Sequence, residues 1–165
     1  MRPADIDERE TGPPEEVVTE NALRKARTVA AAVGAARPVL SVDTVVDLDG
    51  RLYGKPRNAA EAGSHLAALS GRVHDVWSGL VLLERDNEQI GTARTAVQFS
   101  HLDDQTIEWY LESEEWRERA GGYAIQGRGA ALVESIDGDY WNVVGLPVAL
   151  MLRMAPQLLR RFRST

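Results

Sequence analysis

The sequence predicts an α/β fold in which a mixed β-sheet carries helices packed against it. Two observations support this prediction. Some segments repeat apolar residues at helical spacing, and β-branched runs bounded by turn residues are interspersed with them. Several of these runs are joined by tight turns, which favours strands that pair as hairpins. The length of 165 residues suits one compact domain over residues 1–165.

The first predicted helix covers residues 15–33. Acidic residues occupy its first turn, and an apolar stripe follows on one face at Val18, Ala22, Ala26, Val29 and Val33. Lys25 falls inside this stripe, so its side chain should point toward the body of the protein. There it would either snorkel to the edge or reach into a cleft.

A β-hairpin is predicted over residues 38–56, because a β-branched run is closed by Asp49-Gly50. If this two-residue turn sets the register, Thr44 lies opposite Lys55. Asp43 and Lys55 then lie at the same end of the hairpin.

The remaining elements follow from caps, alternation and turn residues. Asn58 with Glu61 three residues later predicts a capped helix. The predicted ranges are a helix at 59–69, strands at 73–83 and 90–99, a helix at 102–113, strands at 122–127 and 130–136, and a helix at 147–159. A basic tail at 156–165 contains Arg160, Arg161 and Arg163, which we interpret as solvated charges at a helix end.

Composition excludes several classes of protein. The net charge of -6 argues against nonspecific binding to nucleic acid. No stretch is apolar enough for a membrane span or a signal peptide, so a cytoplasmic protein is expected. Because cysteine is absent, disulfides and thiolate metal sites are excluded, and any metal would be a hard cation such as Mg²⁺ or Mn²⁺.

The basic residues are distributed unevenly between arginine and lysine. Of 19 basic residues, only Lys25 and Lys55 are lysine. These positions either require a compact ammonium group or are surface lysines kept by chance.

Two further polar residues stand in apolar or glycine-rich surroundings. Asp43 lies within a β-branched run, where a carboxylate must be paired, exposed at an edge or bound to a metal. Gln126 is flanked by glycines that would allow close approach of a ligand, although such glycines are as common in hairpins without one. The glycine pattern fits neither a P-loop nor a dinucleotide fingerprint, and zinc and serine-hydrolase motifs are absent.

Seven fragments, in order along the chain, resemble the Maf family of nucleoside triphosphate pyrophosphatases. They are Asp5-Ile-Asp-Glu8, Lys25-Ala26, Val42-Asp-Thr-Val-Val46, Gly54-Lys-Pro56, Leu69-Ser-Gly-Arg-Val-His74, Ala120-Gly-Gly-Tyr-Ala-Ile-Gln-Gly127 and Gly138-Asp-Tyr-Trp-Asn-Val-Val-Gly-Leu-Pro147. The resemblance implies hydrolysis of nucleoside triphosphates to monophosphate and pyrophosphate, with a divalent metal cation (Mg²⁺ or Mn²⁺), in the central nucleotide cleft of a twisted mixed sheet. It also implies homodimers, which are frequent among such proteins.

The resemblance assigns roles by position. Asp43 matches the proton acceptor, and Asp43 with Glu8 would hold the metal. Lys25 and Lys55 match lysines that face phosphate. Thr44 and Gln126 match positions that influence base choice, and the pattern around them is similar to the branch that acts on dTTP and UTP.

The sequence departs from the family pattern at three places. Arg119 stands where the family has lysine, and Val42 where it has alanine. A Ser-x-Ser-Pro-Arg-Arg phosphate-binding segment is absent, so an N-terminally incomplete domain is expected, through a gene-start error or a true shortening. The alternative functions are a non-catalytic nucleotide-binding or division-regulating protein, and a plain interaction domain.

Overall fold

The computed structural model describes residues 8–34, 38–84 and 87–158. Its elements are α1 (Pro14–Val33), β1 (Val39–Leu48), β2 (Arg51–Tyr53), α2 (Ala59–Leu69), β3 (Val73–Glu84), β4 (Asn87–Phe99), α3 (Asp104–Leu111), β5 (Val133–Asp137), α4 (Tyr140–Val144) and α5 (Val148–Met154). Two 3₁₀ turns precede β5, the first at Ala120–Gly122 and the second at Gly127–Leu132. None of the described helices is long and apolar enough to cross a membrane.

Five strands form one sheet in the order β2-β1-β3-β4-β5, with helices packed against it. The predicted α/β class with flanking helices is confirmed. Every pairing among the described strands is antiparallel, whereas the sequence predicts a mixed sheet. The β1–β2 and β3–β4 pairs are hairpins, and short hairpin connections permit only antiparallel pairing.

The β1–β2 hairpin turns at Asp49-Gly50, as predicted. Both residues have positive φ angles, 53° and 81°, which match the twist that a two-residue hairpin turn requires. The predicted register is confirmed as far as the pair Val46↔Tyr53. The ladder ends there, so Lys55 follows the strand in a loop and is not paired with Thr44.

One face of the sheet is covered by α1, whose buried stripe packs on β1 and β3. A side chain at Gly79 would collide with the helix, because its Cβ would lie 2.4 Å from the carbonyl oxygen of Val18. Gly79 pairs with Asp43 across β3 and β1. The missing side chain therefore lets α1 approach the sheet at the position of Asp43.

The opposite face holds the larger apolar core, built from α2, α3 and the segments between α3 and β5. Leu66, Leu69, Phe99, Tyr110 and Leu132 are fully buried there. The predicted cap of α2 is confirmed, since the Asn58 side chain accepts a hydrogen bond from the backbone N–H of Glu61 at 2.9 Å.

Three predicted ranges need correction. The segment 122–127 is not a strand, because Gly122 ends one 3₁₀ turn and Gly127 begins the next, with φ angles of 75° and 66° in the left-handed region. It lies between the two 3₁₀ turns, and the strand predicted at 130–136 begins only at Val133. The last helix begins at Val148 and ends at Met154, and residues 159–165, including the three tail arginines, lie outside the described residues.

Candidate active site

A cleft of about 960 Å³ opens where β1, α1, the loop after β2 and the glycine-rich segment meet. The residues predicted from the sequence to form a site all line it: Glu8, Lys25, Asp43, Thr44, Lys55 and Gln126. They come from positions spread over more than a hundred residues of sequence. The cleft is therefore assembled by the fold.

Asp43 lies on the face of β1 that α1 covers, and it is only 6% exposed. The Lys25 ammonium donates to its Oδ1 at 2.5 Å, and the Asn21 amide donates to its Oδ2 at 3.2 Å. Burial raises the pKa of Asp43, and the favourable contacts with Lys25 and Asn21 offset this only in part. A raised pKa makes this carboxylate a better proton acceptor than an exposed aspartate.

Lys25 bridges two carboxylates. Its Nζ lies 2.5 Å from Asp43 Oδ1 and 2.6 Å from Glu8 Oε1, and its side chain is 17% exposed. Burial lowers the pKa of Lys25, but hydrogen bonds to Asp43 and Glu8 outweigh burial and raise it overall. Lys25 therefore remains a cation in the wall of the cleft.

Asn21 connects these groups, and the sequence reasoning missed it. It is 1% exposed, and besides donating to Asp43 it makes two bonds with the backbone of Arg9. Asn21 Oδ1 accepts from the Arg9 N–H at 2.8 Å, and Nδ2 donates to the Arg9 carbonyl at 3.0 Å. Asn21 thereby places the backbone beside Glu8 against α1. The signal in the sequence was a polar residue on the apolar stripe, one turn before Lys25.

Thr44 points to the other face of the sheet from Asp43, as alternation along a strand requires. Its hydroxyl lies 2.9 Å from the hydroxyl of Ser78, its direct partner on β3. Ser78 is completely buried. Ser78 was also missed, because nothing in the sequence indicates that β1 and β3 are neighbours.

The cleft is lined by more basic side chains than the sequence predicts. Lys55 lies 3.6 Å from Glu118 in an exposed ion pair, which is worth little and leaves the ammonium accessible. Arg51, Arg57 and Arg119 line the same cleft. Arg57 is paired with Glu61 at 3.0 Å.

Gln126 is exposed at the rim, in the segment between the two 3₁₀ turns. Beneath this segment, the Tyr123 hydroxyl lies 2.8 Å from His74 Nε2, and both side chains are buried. Burial lowers the pKa of His74 from 6.5 to about 4, so the ring is neutral near pH 7. The pair anchors the inner side of the segment.

A family model described as Maf-like protein matches residues 1–158. The chain belongs to this family.

Several relatives of this Maf-like chain share one name. The chain is 42% identical over 139 residues to a dTTP/UTP pyrophosphatase of Pyrococcus furiosus, covering 82% of this chain and 73% of the relative. It is 46% identical over 144 residues to the Symbiobacterium thermophilum enzyme of that name, covering 87% and 74%. A third, from Moorella thermoacetica, is 49% identical over 138 residues, covering 82% and 71%.

The donor set of the Maf-like cleft suits a hard cation. Among the described residues there is no group of three or more metal-ligating side chains. Two carboxylates, Asp43 and Glu8, do converge on one point, the Lys25 ammonium. Mg²⁺ is commonly held by one or two protein carboxylates together with substrate phosphates and water. These residues therefore fit a cation that arrives with a phosphate ligand.

Proposed function

We propose that this Maf-like chain hydrolyses nucleoside triphosphates, foremost dTTP and UTP, to a monophosphate and pyrophosphate. The observation that carries the proposal is a buried carboxylate, Asp43, held by Lys25 and Asn21 in the wall of a cleft lined by further cations. The name that these relatives share, dTTP/UTP pyrophosphatase, supports the same activity.

Asp43 is proposed as the residue that orients the attacking water and accepts its proton. The water oxygen forms a bond to the α-phosphorus, the bond from that phosphorus to the bridging oxygen breaks, and pyrophosphate leaves. Burial raises the pKa of Asp43, which favours proton transfer to it. The contacts from Lys25 and Asn21 fix the direction of its two oxygens, so little reorganisation is needed during the reaction.

Lys25 and Lys55 are proposed to face the phosphates from two sides. Lys25 is half-buried beside Asp43, and Lys55 lies in the loop that follows β2. Arg119 adds a third cation that lines the cleft. A triphosphate carries several negative charges, and cations already in place stabilise both its binding and the charge that develops on the leaving group.

Asp43 and Glu8 are proposed to hold a divalent cation, Mg²⁺ or Mn²⁺. Such a cation would supply charge neutralisation for the phosphates. Lys25 contacts one oxygen of each carboxylate, so it keeps the two carboxylates close to each other.

Thr44 and Gln126 are proposed to contact the base. The hydroxyl of Thr44 is oriented by Ser78, and the amide of Gln126 offers both a donor and an acceptor. An amide suits the imide edge of uracil or thymine, which presents acceptors on both sides of a donor. Purine bases present a different pattern, so discrimination follows from hydrogen-bond matching.

The test is pyrophosphate release from UTP, dTTP, CTP, GTP and ATP with Mg²⁺ or Mn²⁺. Asp43→Asn should lower kcat by about 10²- to 10⁴-fold, the range expected when a general base is removed. Asp49→Asn is the matched control. Asp49 is an exposed residue of the hairpin turn outside the cleft, and its positive φ angle of 53° is tolerated by asparagine.

Hydrolysis in ¹⁸O-labelled water locates the attack. Label in the monophosphate supports attack at the α-phosphorus, and label in the pyrophosphate contradicts it. Nucleotide binding without turnover in the parent chain would refute the enzymatic proposal and favour a nucleotide-binding protein.

A further inference from the structure

The backbone around Gln126 is anchored on both sides by α3 and the loop that follows it. Before Gln126, the N–H of Ala124 donates to the Tyr110 hydroxyl at 3.0 Å. After it, the N–H groups of Arg128 and Gly129 donate to the two carboxylate oxygens of Glu115, at 3.1 and 3.3 Å. The anchors lie within three residues of Gln126 in each direction, so little of the backbone between them is free to move.

Glu115 is itself held in place. Its backbone N–H donates to the Ser113 hydroxyl at 3.1 Å, and that hydroxyl donates to the Tyr110 carbonyl at 2.6 Å. Tyr110 is completely buried in the core. The backbone of Glu115 is therefore tied through Ser113 to Tyr110, the residue that supplies the other anchor.

The backbone also packs closely at Gly127 and Gly129, the two glycines that follow Gln126. Gly127 has a φ angle of 66°, and a Cβ there would lie 2.5 Å from Glu115 Oε1. A Cβ on Gly129 would lie 1.8 Å from the Ala124 carbonyl oxygen. At Gly127 the segment therefore closes directly on the Glu115 carboxylate, and at Gly129 it folds tightly on its own backbone at Ala124.

The charge of Glu115 is directed at the backbone. Within the part of the chain that the structure describes, Glu115 forms no salt bridge with a basic side chain. Its two oxygens are instead used by the two N–H groups that follow Gln126. Hydrogen bonds from backbone N–H to a carboxylate are stronger than those between neutral groups.

We propose that Glu115 is a positioning residue for base discrimination. It holds the backbone at residues 127–129 and so determines where the Gln126 amide stands at the cleft. Recognition by an amide depends on placement to within about half an ångström, so release of this anchor should weaken discrimination more than it weakens folding. The inference rests on the proposed function in one respect, that Gln126 contacts the base.

The experiment compares Glu115→Ala, Glu115→Gln and the parent chain. Asp103→Ala is the matched control: Asp103 caps the other end of α3 by accepting from the Thr106 N–H at 2.8 Å, and it does not line the cleft. Hydrogen exchange of the Arg128 and Gly129 amides is followed by NMR without nucleotide. Selectivity is measured as kcat/KM for UTP against GTP, and as Kd for UMP against GMP.

In Glu115→Ala the two amides should exchange faster, and KM for UTP should rise about tenfold with kcat changed by less than about threefold. The preference for UTP over GTP and for UMP over GMP should fall together. Glu115→Gln keeps one acceptor oxygen and should give intermediate values. Asp103→Ala should lower stability while leaving both preferences unchanged.

Unchanged exchange rates of the two amides in Glu115→Ala would refute the proposal that Glu115 holds the backbone at residues 127–129. Faster exchange with unchanged preferences would show that Glu115 is only structural, which also overturns the proposal. A parent chain without turnover refutes the proposed enzymatic function separately, because the monophosphate affinities still decide whether Glu115 controls base discrimination.

Discussion

Replacing Asn21 by leucine tests how the cleft is held together. Leucine keeps the branching of asparagine at Cγ and is somewhat larger, so the substitution removes hydrogen bonds without opening a cavity. Asn21 donates to the buried Asp43 carboxylate and makes two bonds with the Arg9 backbone. A hydrogen bond to a charged group contributes about 1.5–3 kcal/mol, and a neutral one about 1 kcal/mol.

The two bonds to Arg9 lie in a part-buried region, where water replaces them in part. We therefore expect the free energy of unfolding to fall by about 2–4 kcal/mol, less than the sum of three independent bonds. Because Asp43 and the backbone next to Glu8 lose a common support, kcat for UTP should fall about 10- to 100-fold, as when a supporting contact around a metal or catalytic carboxylate is removed.

Urea unfolding followed by the fluorescence of the 4 tryptophans measures the stability. Asn58→Ala is the control. It removes the cap of α2, outside the cleft, and should cost about 1 kcal/mol while turnover is retained. If Asn21→Leu had the stability and kcat of the parent chain, the bridging role of Asn21 would be refuted.

Three further predictions concern the glycine-rich segment and the buried pair of His74 and Tyr123. Burial lowers the pKa of His74 from 6.5 to about 4. Between these two pH values the unfolded chain binds a proton that the folded chain excludes. The free energy of unfolding should therefore fall by about 3 kcal/mol as the pH decreases from 6.5 to 4. His74→Gln should lack this part of the pH dependence in urea titrations at pH 7 and pH 4, and a parallel decline in both chains would contradict the assignment. Gly127→Ala should cost about 1–3 kcal/mol, measured by thermal unfolding, because its φ is positive and its Cβ meets Glu115; a change below that range would be evidence against tight closure of the segment. Tyr123→Phe should lower the unfolding free energy by about 1–2 kcal/mol through loss of the bond to His74, and an additive result in the double variant with His74→Gln would count against a direct interaction.

Local patterns predicted much of this fold because they depend on neighbouring residues. The turn at Asp49-Gly50 and the cap at Asn58 are decided within a few residues of backbone. The strand predicted at 122–127 was wrong for the same reason. Its apolar residues suggested a strand, but glycines at positive φ turn the chain there, where they pack against Val46, Ala62 and Glu115, which are distant in the sequence.

The candidate site was predicted in part. Asp43 and Lys25 were found because a carboxylate in a β-branched run and a lysine on an apolar stripe are unusual in any context. Asn21, Ser78 and Glu115 were missed, since their partners lie 22, 34 and 13 residues away in the sequence. Ordinary polar residues become notable only when the partner is known.

Composition and residue type limit the chemistry that this protein can perform. The absence of cysteine limits metal ligands to oxygen and imidazole, while the two lysines offer positive charge and Asp43 a carboxylate for the proposed reaction. Whether these groups meet depends on tertiary packing. Gly79 lets α1 approach β3, and that approach brings Asn21 and Lys25 to Asp43. Hydrogen bonds and charge interactions act over a few ångströms, so the contacts exist only after helix and sheet have packed.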